Sequence, residues 1–129
     1  MNLPHNVVGW FEIPVTDLDR AIVFYETVFD VKLELMKLPE LEMAMFPGVE
    51  NTIGSGGALV LNTKNYKPSS DGVLIYFTAF SGDVAIELAR VEKAGGKILM
   101  PRTQISPEIG FMGLALDTEG NRIAFHSRM

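Results

Sequence analysis

Shifted by 66 residues, which carries Trp10 onto Tyr76, the chain comes into step with itself. Phe11 then falls on Phe77 and Asp17 on Asp83. Leu18, Ile22 and Tyr25 fall on Val84, Leu88 and Val91, and Ala58 falls on Ala124. Few residues are identical, but candidate helix caps, apolar stripes and strand faces recur together, which is the mark of a duplicated structural unit. Each copy reads as β-α-β-β-β. A single copy has an open sheet face that it cannot bury alone, so the two copies should pair around a shared concavity. The expected fold class is α+β: two paired βαβββ modules forming a cup-shaped mixed sheet, with helices on its outer face.

The first copy shows how the unit is built. In Trp10–Val15, Phe11, Ile13 and Val15 share one strand face, and Trp10, Glu12 and Pro14 share the other. Thr16 or Asp17 then caps a helix, and Asp19 adds negative charge to its first turn. Leu18, Ile22, Tyr25 and Phe29 follow at helical spacing and should cover the Phe11/Ile13/Val15 face. Helices are expected near 17–29 and 83–94, the second capped by Ser81 or Asp83 and ended at Gly95 or Gly96. Strands are expected over Val31–Leu38, Leu41–Phe46, Gly57–Asn62, Val73–Phe80, Lys97–Gln104, Gly110–Asp117 and Arg122–Ser127. The chain thus divides into a first module of about 5–63, a polar connector 63–72 and a second module of about 73–129, all within one domain.

Composition narrows the function. Apolar residues make up 47% of the chain, enough for a folded core. The formal net charge is −5 and no stretch concentrates Lys or Arg, which argues against nucleic acid as a partner. The absence of cysteine removes disulfides, thiolate ligands and a cysteine nucleophile together. The start MNLPHNVV has neither a basic nor an apolar leader region, and no apolar run is long enough to span a bilayer. A soluble cytoplasmic protein without a membrane partner is expected. Gly54-Ser55-Gly56-Gly57 is neither a Walker loop nor a dinucleotide fingerprint, and no G-x-S-x-G elbow exists. The pair Glu40 and Glu42 reads as solvated edge charge.

The opening FEIPVTDLDRAIVFY and the ending LDTEGNRIAFHS, together with the repeat, resemble the vicinal oxygen chelate superfamily, the glyoxalase, bleomycin-resistance and extradiol dioxygenase group. The resemblance covers almost the whole chain. It implies a cup formed by paired modules, frequent homodimers and a small-molecule site inside the cup. Metal-dependent members are expected to take His, Gln or Glu ligands from the first and fourth strands of each module. Counted back from the helix caps, those four positions land on Trp10, Ala58, Tyr76 and Ala124, none of them a usual donor for a divalent ion. No metal and no other cofactor is therefore expected.

Strand parity supplies the cavity lining without the family. Opposite the core faces stand Trp10 and Glu12, then Val60 and Asn62 beside Ala58. Tyr76, Thr78 and Phe80 follow, and Arg122 and His126 flank Ala124. Aromatic stacking surfaces with a few polar groups suit a small-molecule ligand. Met36, Met43, Met45 and Met112 lie in strands that either shape the walls or fill the core. Glu12, a carboxylate beside tryptophan in an apolar cup, is a candidate general base with a raised pKa, or else pairs with Arg20 or Arg122 or lies at a wet rim. His126 is a candidate acid–base partner through Tyr76 or Thr78, or else is simply solvated. His5 falls on the wrong parity and reads as surface. Two functions compete. One is a metal-independent binder of a small, partly aromatic or apolar molecule. The other is an enzyme of lyase, isomerase or dioxygenase type, using an unconventional metal site or Glu12/His126 acid–base chemistry. A homodimer is expected in either case.

Overall fold

The computed structural model describes residues 5–62 and 64–129. Met1–Pro4 of the leader reading and Thr63, the first residue of the expected connector, lie outside the described residues. Each half of the chain places one helix against one four-stranded mixed sheet. The first half runs β1 (Trp10–Val15), α1 (Leu18–Phe29), β2 (Glu34–Lys37), β3 (Glu42–Met45) and β4 (Gly56–Leu61). The second runs β5 (Ile75–Thr78), α2 (Val84–Val91), β6 (Lys97–Ser106), β7 (Gly110–Leu116) and β8 (Arg122–Ser127). The strand orders, β1-β4-β3-β2 and β5-β8-β7-β6, are the same, with a parallel pair at one edge and antiparallel hairpins beyond it. The fold is α+β and duplicated, as the repeat implies. The sheet is not continuous, however: β1 and β5 are both edge strands, and the two sheets meet at a seam. Among the described residues no helix is long and apolar enough to cross a membrane.

Local chemistry sets the element ends. Asp17 caps α1 by accepting from the Arg20 amide at 3.1 Å, and Asp83 caps α2 by accepting from the Ala85 amide at 2.9 Å. Helix α2 is shorter than its apolar pattern suggests. Gly95 at φ +100° turns the chain, and the Gly96 amide closes back on the Val91 carbonyl at 2.9 Å. Strand β2 starts later than expected, because Glu26 accepts from the Leu33 amide at 2.9 Å and Val31 and Leu33 are drawn against the core. Helix α1 buries a band wider than the four residues read from spacing: Ala21, Phe24 and Val28 are fully buried alongside Leu18, Tyr25 and Phe29, and Ile22 sits at its edge.

One core serves both halves. Phe11 meets Phe77 edge-on at 5.9 Å, and Phe29 stacks on Phe125 at 5.4 Å. The turn Asp117-Thr118-Glu119-Gly120-Asn121, between β7 and β8, locks this pairing at its polar end. Asp117 accepts from the buried Tyr25 hydroxyl at 2.6 Å, and Asn121 donates to the Pro14 carbonyl at 2.8 Å. Glu119 reaches the start of α1 in the other half, accepting from the Thr16 and Asp17 amides, both at 2.9 Å, and from Arg20 Nε at 2.8 Å. Burial opposes its charge, but these donors and Thr118 outweigh burial and hold the carboxyl at about 2.

Candidate functional site

A hollow of about 670 Å³ lies in the seam. Strand β1 gives it Trp10 and Glu12, β5 gives Tyr76, β8 gives Arg122, and the connecting segment gives Lys67 and Asp71. Trp10 and Tyr76 are each about half exposed (48% and 49%), so two aromatic surfaces face open space. Glu12 is already engaged: Trp10 Nε1 donates to one oxygen at 3.3 Å and the Tyr66 hydroxyl to the other at 2.6 Å. The hydrogen bond to the Glu12 carboxylate, followed by its charge and by burial, raises the Tyr66 phenol above its usual 10. Glu12 therefore pairs with neither of the two arginines weighed from sequence.

The remaining expected site residues are dispersed. Thr78 and His126 line a second hollow of about 460 Å³ with Ile105 and Ile109, where His126 Nε2 donates to the Ile109 carbonyl at 2.6 Å. Phe80 borders a third, about 190 Å³, with Phe29 and Phe46. Tyr76 belongs to all three hollows. Val60 and Asn62 line none of the three. Val60 is fully buried with Ala58 and Met43 beneath Tyr66, a residue of the segment that sequence reading treats as a plain connector. Asn62 turns inward on its own loop, accepting from the Lys64 amide at 2.9 Å and donating to the Glu40 carbonyl at 3.0 Å. Met43 and Met45 belong to the packing under Tyr66, while Met112 receives the Tyr76 hydroxyl on its sulfur at 3.6 Å. His5 is exposed.

The parallel ladders show which residues face each other near the positions counted from the helix caps. In the second half Tyr76 stands opposite Ala124, as counted. In the first half the residue opposite Ala58 is Glu12, and Trp10 stands opposite Gly56. The register of β1 against β4 thus differs by one pleat repeat from that of β5 against β8, so Glu12 rather than Trp10 faces Ala58 across its ladder. Among the described residues no three His, Cys, Asp or Glu side chains cluster as a metal site would require. Lys67, Ser69 and Asn121 are cavity residues that sequence reasoning missed. An aromatic at position 66 within an otherwise polar stretch was the available signal that this segment folds back onto the sheet.

The family model for the Glyoxalase/Bleomycin resistance protein/Dioxygenase superfamily matches residues 7–125. A glyoxylase-like domain-containing protein of Didymella fabae is 27% identical over 127 residues, covering 96% of this chain and 95% of that protein. Among solved structures, a glyoxylase/bleomycin resistance protein/dioxygenase domain from Frankia sp. EAN1pec superimposes with a TM-score of 0.71 at 18% identity, covering 95% of this chain and 98% of that one. Glyoxalase I from Zea mays gives 0.68 at 20% identity, covering 92% of this chain and 45% of that one. The chain thus spans less than half the length of the maize protein.

Proposed function

The chain belongs to the Glyoxalase/Bleomycin resistance protein/Dioxygenase superfamily, and from that premise we propose that it binds a small, partly aromatic or apolar molecule in the seam cavity without a divalent metal. The observation that carries this reading is the pair of ladder positions: Glu12 opposite Ala58 and Tyr76 opposite Ala124. Two methyl groups have no lone pair to offer, a phenol is a poor donor for the divalent ions concerned, and the oxygens of Glu12 already accept from Trp10 and Tyr66. These residues do not fit the metal that the superfamily implies. What remains is a half-open cavity walled by an indole and a phenol, which suits stacking against a flat ligand. The enzyme reading has less geometry behind it, because Glu12 and His126 line different hollows and each is already hydrogen-bonded.

Trp10 is the only tryptophan, so its fluorescence reports directly on the cavity. Titration with 1-naphthylmethanol should quench it saturably and equally well with and without EDTA. Tyr76→Ala should weaken binding by about fivefold, the worth of roughly 1 kcal/mol of aromatic contact. Elemental analysis finding one divalent ion per chain, with probe binding lost on chelation, would overturn the proposal. A homodimer belongs to the same reading. The outer edge strands β2 and β6 expose Leu35 and Met36 on one side and Leu99 and Ile105 on the other, apolar edges that a second copy would cover.

A further inference from the structure

Arg122 opens β8 on the face shared with Ala124 and His126, and it lines the seam cavity. Its Nε is buried and has no hydrogen-bond partner among the described residues. The guanidinium makes one long contact, from Nη2 to the Gly72 carbonyl at 3.5 Å, and no ion pair among the described residues. A guanidinium presents five donors in a rigid plane, and leaving a buried one unmatched is costly. Two other cationic side chains of this chain show the contrast: Arg20 is held by Glu119, and Arg102 lies over the Phe111 ring and beside Asp83. Lys67 brings a second positive charge to the same cavity. Of the two carboxylates that line it, Glu12 is taken up by Trp10 and Tyr66, and Asp71 is exposed. The cavity therefore offers an uncommitted planar donor within reach of two aromatic surfaces.

We propose that Arg122 is the oxyanion-recognising residue of this cavity, and that its ligand is a flat or apolar molecule bearing a carboxylate or phosphate group. The inference rests on the binding reading above and names the ligand class. The two oxygens of such a group match the paired Nη donors at the head of the guanidinium, a planar geometry that an ammonium cannot reproduce. The apolar body of the ligand then lies against Trp10 and Tyr76.

The test uses the intact protein and three probes of one shape, 1-naphthoate, 1-naphthyl phosphate and 1-naphthylmethanol, followed by Trp10 fluorescence. At least one anion should bind about tenfold tighter than the alcohol, the worth of a charge-assisted pair of hydrogen bonds. The better of the two anions distinguishes a carboxylate from a phosphate ligand. Arg122→Gln should bring the anions down to the level of the alcohol, and Arg122→Lys should leave only part of the preference. An alcohol that binds as tightly as both anions, or anion affinity unchanged in Arg122→Gln, overturns the role of Arg122 while the cavity reading stands. No binding by any probe overturns both. Should Arg122→Gln fail to fold, Lys67→Gln takes its place: the anion preference should persist in it, and loss of the preference there overturns the role of Arg122.

Discussion

Replacing Glu119 with glutamine tests whether the β7–β8 turn holds the two halves together through a buried charge. The side chain is fully inaccessible to solvent, and its two oxygens accept from Thr16 N and Oγ1, Asp17 N, Arg20 Nε and Nη2 and Thr118 Oγ1, at 2.8 to 3.0 Å. Glutamine keeps one carbonyl oxygen for the two amides. It turns an NH2 group toward Arg20 and Thr118, which are themselves donors. The carboxyl is held at about 2 against an ordinary 4.5. At about 1.4 kcal/mol per pH unit the full linkage is roughly 3.5 kcal/mol, and screening at the half-exposed Arg20 head reduces it to about 2 kcal/mol.

The pH dependence carries a sign that the mutation alone does not. Folding lowers this pKa, so between pH 4.5 and about 2 the unfolded chain binds the proton that the folded chain refuses. The stabilisation is complete above 4.5 and disappears as pH falls through about 2. Urea melts followed by circular dichroism should therefore show Glu119→Gln less stable by about 2 kcal/mol at pH 7, or about 8 °C in Tm. The gap should close as both proteins are taken from pH 4.5 toward 2. A gap below about 0.5 kcal/mol at pH 7, or one that stays constant down to pH 2, would refute the charged clasp.

Tyr25 should behave differently from the other two tyrosines. Burial first, then the charge and hydrogen bond of Asp117, push its phenol well above 10, so an ultraviolet titration of the folded protein should leave one tyrosine un-ionised until the chain unfolds, and stability should fall as pH rises past 10. Tyr25→Phe removes the 2.6 Å bond to Asp117 and should cost about 1–3 kcal/mol in urea melts; a loss of less than about 0.5 kcal/mol would show that the bond is dispensable. Light scattering should return twice the 14.2 kDa chain mass, and a monomer at high concentration would remove the proposed edge-strand interface.

Much of the scaffold is legible in the sequence because it is local. Asp17 and Asp83 cap the helices they precede, and strand parity separates Ile13, Leu59, Ile123 and Phe125, which join the core, from Trp10, Tyr76 and Arg122, which face the seam. What escapes is tertiary. Val60 points to the face its parity dictates, yet it carries no exposed surface because Tyr66 folds back over it. Nothing in the alternation of β4 encodes a lid supplied by the next segment. Asn62 likewise faces the right side, but its side chain finds backbone partners sooner than it could find a ligand. The Asp117–Asn121 turn is recognisable as a motif, but its purpose is evident only when Glu119 is seen at the start of α1.

The difference in register between the two ladders leaves the cavity wall where strand parity puts it. The second half uses five residues, 79–83, to pass from β5 to α2, where the first uses Thr16 and Asp17 alone between β1 and α1. The same seven-residue count back from the caps therefore crosses different stretches of chain in the two halves, and in the first it runs one pleat repeat past the residue opposite Ala58. A slip of two residues preserves strand parity; a slip of one would have turned Trp10 and Glu12 into the core. The face was thus secure while the position on it was not, and Glu12 rather than Trp10 stands opposite Ala58. At that place Glu12 accepts from the hydroxyl of Tyr66, which packs against the cluster of Met43, Ala58 and Val60. The open cavity lies beside Tyr66, along β1 and the β5/β8 pair, where Trp10, Tyr76 and Arg122 line it. Ala58, small at the centre of its ladder, leaves room there for the aromatic ring that the connector supplies.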